Sequence, residues 1–285
     1  MPPSADAASS TDAAFSISDV RVTFGGLVAL SEVSLHVGAG QVHGVIGPNG
    51  AGKTTLFNVA CGFVAPDTGT VSWRGRPLTR LRPHRLADLG IARTLQGLGL
   101  FSRMTVLENV MVGAQRHART GFASALLALP RAHREERALR DRAMAVLDDL
   151  GAAQFAQHLP DSLPYAVRKR VALARALVSE PELLLLDEPA SGLSTEEMGE
   201  LGETIRGLTE RMSIMLVEHH MDLVMTVCDD ITVLDFGRVI ANGPPDRIRN
   251  DPAVMEAYLG DEVGEDATGS FALSAAEGGD DARGS

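Results

Sequence analysis

The chain has 285 residues, 45% of them hydrophobic and 22% charged, with a formal net charge of −11 at pH 7, which suits one α/β domain with additions or two small domains. An acidic whole argues against nonspecific nucleic-acid binding, which needs a surplus of Lys and Arg. No run approaches the ~18 apolar residues of a spanning helix, so any role at a membrane needs partners that supply the spanning part.

In chain order, residues 1–14 are rich in Ala, Ser and Asp and are expected to be disordered. Met1–Asp12 lacks the basic-then-apolar order of a signal peptide. Ser16–Phe24 alternates enough for a strand, Gln41–Ile46 is a short strand running into glycines, and Thr70–Trp73 is another, followed by a turn at Arg74-Gly75. Ile91–Leu95 also reads as a strand. From Thr105 to about Leu159 the pattern is helical. Within it Ala132–Asp149 is dense in Arg and Glu on a solvated face, with Ala143, Val146, Leu147 and Leu150 at the spacing of a buried stripe. A further helix spans Arg168–Val178 and stops at Pro181. Leu183–Leu186, Ile214–Val217 and Ile231–Leu234 are apolar runs short enough to be strands buried on both faces. Strands alternating with helices predict an α/β fold with a mostly parallel sheet and an inserted helical lobe. Residues 261–285 carry Asp261, Glu262, Glu265, Asp266, Glu277, Asp280 and Asp281 against Arg283, and read as a disordered, solvated tail. Cys61 and Cys228 have no partners at metal-ligand spacing and are expected to be buried reduced thiols, which fits cytosolic residence.

Gly47-Pro48-Asn49-Gly50-Ala51-Gly52-Lys53-Thr54 fits G-x-x-x-x-G-K-[ST], with Thr55 following, between a strand and an apolar helix start. Glycines let the backbone curl so that several N–H groups meet phosphate oxygens, and the helix start adds partial positive charge. Lys53 is expected to reach the β and γ phosphates and the Thr54 hydroxyl to ligate Mg²⁺. Such a loop does not by itself choose between kinases, GTPases, helicases and transport ATPases. Asp187 and Glu188 follow the leucine run, on a strand expected next to the phosphate-loop strand. There Asp187 can hold Mg²⁺ and Glu188 can polarise the attacking water. Glu218-His219-His220 follows another apolar run, and either histidine could contact the γ-phosphate. Gln96, after a strand, could complete the Mg²⁺ shell.

The order of these motifs resembles the ATP-binding-cassette ATPases: Walker A at Gly47–Thr54, Q-loop at Gln96, signature within Leu163–Leu177, Walker B at Leu183–Pro189, D-loop at Ser191–Leu193 and H-loop at His219. The resemblance covers about residues 16–260. It implies a P-loop NTPase with a RecA-like core, an N-terminal antiparallel β subdomain and a helical subdomain at about 97–178, all within residues 15–260. It implies Phe24 stacked on adenine and His219, rather than His220, at the γ-phosphate. It further implies two cassettes sandwiching ATP head to tail, each signature meeting the ATP of the other chain. Phe24-Gly-Gly-Leu-Val-Ala, Gly90-Ile-Ala-Arg-Thr, Met104-Thr-Val-Leu-Glu-Asn109, Val217-Glu-His-His-Met-Asp-Leu-Val-Met and Asn250–Gly260 are similar to the larger ATPase subunit of the branched-chain amino acid importers. Urea and short-chain amide importers share that subfamily. The resemblance thus implies a cytoplasmic protein on the inner face of the membrane, with a second ATPase subunit, two membrane permease subunits and, indirectly, an extracytoplasmic substrate-binding protein as partners.

The signature departs from the pattern. Where the family has Leu-Ser-Gly-Gly-Gln, or Leu-x-Tyr-Gly-x in this group, the chain reads Leu163-Pro164-Tyr165-Ala166-Val167. Pro164 supplies neither hydroxyl nor N–H, Ala166 adds a Cβ and resists φ > 0, and Val167 is apolar. A weakened contact to the partner's γ-phosphate is expected, hence an asymmetric heterodimer. A weakly hydrolysing regulatory module is the alternative.

Overall fold

The computed structural model describes residues 13–94, 98–114 and 130–261. Residues 1–12, Gln96 and residues 262–285, on which some of the expectations fall, lie outside them. The described chain runs β1 (Ala13–Phe24), β2 (Leu27–Gly38), β3 (Val42–Ile46), α1 (Lys53–Ala60), β4 (Thr68–Trp73), β5 (Arg76–Pro77), β6 (Ile91–Arg93), α2 (Val106–Gly113), α3 (Pro130–Asp149) and α4 (Tyr165–Leu177). It continues with β7 (Leu183–Asp187), α5 (Thr195–Leu208), β8 (Ser213–Val217), α6 (Met221–Val227), β9 (Asp230–Asp235), β10 (Arg238–Gly243), α7 (Pro245–Arg249) and α8 (Pro252–Asp261).

The strands form two sheets. One is antiparallel, in the order β2-β1-β4-β5; the other is β10-β9-β3-β8-β7-β6, parallel except for the β10 edge. The parallel strands are the apolar runs. Val42–Ile46 and Ser213–Val217 are buried throughout, and Leu183–Leu186 are each at most 1% exposed. Burying each such leucine is worth about 1.5–3 kcal/mol, which holds the strand end that follows in a fixed place. One face of this sheet packs on α1 and the antiparallel sheet through Leu56, Phe57, Phe15 and Leu35. The other packs on α5 and α6 through Ile205, Leu208, Val224 and Val227. A third apolar cluster joins α2, α3 and α4 through Val106, Val110, Ala143, Leu147, Val171 and Ala174. Ala143 and Leu147 are fully buried and Val146 and Leu150 partly so, as the helical spacing predicts.

Four local expectations need correction. The helical stretch from Thr105 is broken: α2 ends at Gly113, where an added Cβ would lie 1.9 Å from the Arg175 carbonyl oxygen, and after α3 the chain turns at Gly151 through two short 3₁₀ turns. α4 begins at Tyr165, not Arg168. β2, β5 and β10 were not foreseen; in β2 the inward Leu30, Val33, Leu35 and Val37 are broken in period by an irregular register against β1. Finally, the acid strand β7 is not next to the phosphate-loop strand β3. β8 lies between them, pairing Val45 and Asp187 with the same residue, Val217.

Candidate nucleotide site

The insertion of β8 places three strand ends side by side on one edge of the sheet: the glycine loop after β3, Glu218-His219-His220 after β8, and Asp187-Glu188 at the end of β7. The loop is held by close approach. At Gly47 (φ 149°) an added Cβ would sit 2.1 Å from the Leu234 carbonyl oxygen, and at Gly52 (φ 100°) 2.8 Å from that of Ala29. Only glycine fits either place. Pro48 is buried, whereas Asn49, Gly50 and Thr54 face out and Thr55 is half-buried. The Lys53 ammonium arches back over the loop, donating to the Gly47 carbonyl at 2.7 Å and the Pro48 carbonyl at 2.8 Å. A cation is therefore poised over N–H groups at the start of α1, which is the chemistry of an anion cradle. Phe24, at the β1–β2 turn, is half exposed.

Across the strand ends, negative charge collects. Asp187 is pushed up to about 6 by its burial and by the nearby charges of Glu188 and Glu218, against which Arg93 pulls down. A carboxylate destabilised in this way is suited to a hard divalent cation with oxygen ligands. Glu188 occupies the left-handed region (φ 46°), a conformation costing about 1–3 kcal/mol for a non-glycine residue. Its amide donates to the Val217 carbonyl at 2.8 Å, and its side chain is 38% exposed, with Oε1 3.8 Å from His219 Nδ1.

Glu218 was not singled out from sequence as an organiser, yet it fixes both neighbours. Fully buried, it accepts from Ala190 N–H at 2.7 Å, from the His219 and His220 N–H groups at 2.9 and 3.1 Å, and pairs with His220 Nδ1 at 2.9 Å. Burial works against its ionised form, but these hydrogen bonds outweigh it and hold the carboxyl below the usual range. The only sequence signal was an acid directly after an apolar strand.

The signature segment reaches the same edge. Pro164 is the N-cap of α4, without a side-chain capping bond and with no acidic residue in the first turn, so the first-turn N–H groups lack intrahelical partners. Ala166 is helical and has negative φ, so the expected penalty of a forced positive φ does not arise there; only its added methyl remains. Leu163 is buried, Tyr165 is 40% exposed, and Val167 is half-buried. Lys169, also unremarked from sequence, donates to the carbonyls of Pro189 at 2.6 Å and Glu188 at 3.3 Å and lies 5.5 Å over the Tyr165 ring. Gly192 packs edge-on against that ring: an added Cβ would meet Tyr165 Cε1 at 2.9 Å. The start of α4 is thus tied, within one chain, to the backbone that carries Glu188. Tyr165, Lys169, Asp187, Glu188 and Leu193 line a cleft of about 550 Å³.

A glycine cradle with an overlying lysine, and an acid pair and histidine on adjoining strand ends of a parallel sheet, define a P-loop nucleotide hydrolase. Residues 30–191 match the family model described as ABC transporter, and residues 238–264 match that of the branched-chain amino acid ATP-binding cassette transporter. The chain is 41% identical over 247 residues to a protein of Salmonella typhimurium, the high-affinity branched-chain amino acid transport ATP-binding protein LivG, covering 86% of this chain and 97% of that one. It is 38% identical over 247 residues to its Pseudomonas aeruginosa counterpart BraF, again over 86% and 97%. Among solved structures, the ADP conformation of MJ1267, an ATP-binding cassette of an ABC transporter, superposes with a TM-score of 0.76 at 29% identity, over 87% of this chain and 99% of that one. The chain belongs to the ATP-binding-cassette family of transport ATPases. No helix among the described residues is long and apolar enough to cross a membrane.

Proposed function

We propose that this chain hydrolyses ATP to drive an importer of branched-chain amino acids, docked on the cytoplasmic face of two permease subunits supplied by an extracytoplasmic binding protein. The match of residues 238–264 to the branched-chain model, together with the LivG and BraF likeness, supports the cargo. Urea or amide cargo is the alternative within the subfamily. The ATPase cassette occupies residues 15–260 in this reading, with its helical subdomain at about 97–178, between an N-terminal extension and an acidic tail.

The observation that carries the mechanism is Glu188 beside His219 at the tip of β7, across from the Lys53 loop. Gly47–Thr55 would wrap the phosphates through N–H groups, with Lys53 exchanging its two loop carbonyls for phosphate oxygens, and Phe24 would cover the base. Thr54, Asp187 and Gln96 would hold Mg²⁺, which supplies charge neutralisation on the phosphates. Glu188 orients the attacking water and accepts its proton; His219, its Nδ1 3.8 Å from Glu188 Oε1, steadies that carboxylate and the γ-phosphoryl group as it passes from ADP to water. With His219 49% and Glu188 38% exposed, the site lies open on one side. This favours a second cassette whose signature covers it. This chain's own Leu163–Val167 would cover the partner's ATP less well, which favours a heterodimer with a signature-intact subunit over a homodimer.

Glu188→Gln tests the chemistry. General-base loss should lower turnover by about 10²–10⁴-fold while an ATP-bound dimer accumulates on size exclusion; unimpaired turnover removes Glu188 from the role. Cargo is tested by uptake of radiolabelled leucine, isoleucine, valine and urea into vesicles carrying the assembled complex. Uptake of urea alone would replace the branched-chain assignment.

A further inference from the structure

The end of β8 offers a donor set of which nucleotide hydrolysis uses only His219. Glu218, His219 and His220 each present one ligand-type atom, and these atoms all lie within 4.8 Å of one another. Glu218 Oε2 is 2.9 Å from His220 Nδ1 and 3.7 Å from His219 Nδ1, and Glu188 Oε1 is 3.8 Å from His219 Nδ1. Zinc bonds to imidazole nitrogen and carboxylate oxygen are about 2.0–2.1 Å, so tetrahedral donors stand about 3.3 Å apart. These three separations lie within about half an ångström of that value, and no pair within the Glu218–His219–His220 set stands more than 4.8 Å apart. The set also combines anchorage with freedom. Glu218 is fully buried and pinned by three backbone N–H groups, whereas His219, His220 and Glu188 are 49%, 29% and 38% exposed and can turn. Two imidazoles with carboxylates suit a borderline transition metal, not Mg²⁺, which prefers oxygen ligands and retains water.

We propose that Glu218, His219 and His220, with Glu188 closing the fourth position, form an inhibitory site for a divalent transition metal of the zinc class. When the metal takes the place of the Nδ1–H that His220 donates to Glu218, the neutral ring keeps its one proton at Nε2, so no net proton is released and no electron is transferred. The bound metal engages both Glu188 and His219, so it arrests hydrolysis. This inhibitory consequence rests on the reading of Glu188 as the base; the binding does not.

Binding is therefore measured first, on the full-length, metal-free and nucleotide-free chain titrated with Co²⁺. One equivalent should produce the intense visible absorption of four-coordinate cobalt, discharged by one equivalent of Zn²⁺. His220→Asn keeps an N–H donor for Glu218 and removes the imidazole; it should weaken Zn²⁺ binding by about tenfold or more in a chelator competition. His84→Ala, at an exposed histidine elsewhere, should leave it unchanged. No visible band, or equal affinity in His220→Asn, would overturn the site. In the assembled complex, stoichiometric Zn²⁺ should inhibit hydrolysis of the wild type severalfold more than that of His220→Asn, each scored against its own zinc-free rate. Binding that depends on His220 without inhibition would overturn the inhibitory role alone. The turnover of Glu188→Gln separately reports whether Glu188 is the base.

Discussion

Asp187→Asn should make the nucleotide-free, metal-free protein more stable while abolishing ATP hydrolysis. The Asp187 carboxyl titrates at about 6 in the fold against 3.8 unperturbed, because it is buried beside Glu188 and Glu218. The folded state therefore binds more protons than the unfolded chain between these values, and stability falls as pH rises through that window. The contribution of Asp187 is complete below about 4 and lost above about 6. A shift of about two units corresponds to at most about 3 kcal/mol at neutral pH. Asp187 lines a cleft open to solvent, so screening leaves about 1–2 kcal/mol. For a domain of this size that is about 2–8 °C in melting temperature. The assay is urea unfolding of both proteins in chelator, at about pH 7.5 and about pH 4. The gain should be present at the higher pH and nearly absent at the lower. A variant less stable at neutral pH, or an equal gain at both, would refute the account of Asp187 as a carboxylate held in unfavourable company. An acid kept ionised at such expense is common where function demands it.

His43 acts in the opposite direction. Buried on β3 and next to His36, it is pushed down to about 4. Its Nδ1 is 3.6 Å from Asp230, too far for a hydrogen bond. Its contribution is present above about pH 6.5 and lost as pH falls through about 4, so His43→Gln should flatten the acid limb of the wild-type stability curve; an unchanged limb would exonerate it. His43 is common to both proteins in the Asp187 comparison and cancels there. Lys169→Met removes two charge-assisted bonds to the Glu188 and Pro189 carbonyls, and should lower unfolding stability by about 1–3 kcal/mol and turnover severalfold, with Lys169→Arg recovering part of both; full turnover in the Met variant would show that the tether does not position Glu188. Reverting Pro164→Ser, Ala166→Gly and Val167→Gln together should raise turnover of the assembled complex by about tenfold or more, as one or two hydrogen bonds of about 1.5–3 kcal/mol return. Within that set Pro164→Ser alone should add about 0.5–2 kcal/mol as an N-cap. Unchanged turnover would end the case for a weakened signature.

Much of the site was legible because its chemistry is local. Gly47–Thr54 is contiguous, and its glycines are dictated by positive φ and by close approach of the Leu234 and Ala29 carbonyls. Asp187 and Glu188 directly follow four leucines that could only be a buried strand. The acidic tail, the helical stripe of Ala143 and Leu147, and the departure at Pro164–Val167 were equally visible, because each is a property of neighbouring residues. What joins distant segments was not. The placement of β8 between β3 and β7 is decided by which strands pair, and no single strand records its neighbours. The pinning of Ala190 and both histidines by buried Glu218, and the tie from Lys169 to Glu188 across 19 residues, exist only once the helices and sheet are packed. The α4 start at Tyr165 likewise removed a penalty at Ala166 that the sequence pattern alone suggested. Composition and spacing determined that this chain has a glycine loop ending in Lys53-Thr54 and an acid pair; only the sheet order brought Glu188, His219 and the loop to one edge, because hydrogen bonding between strands, unlike a motif, is a relation between parts of the chain far apart in sequence.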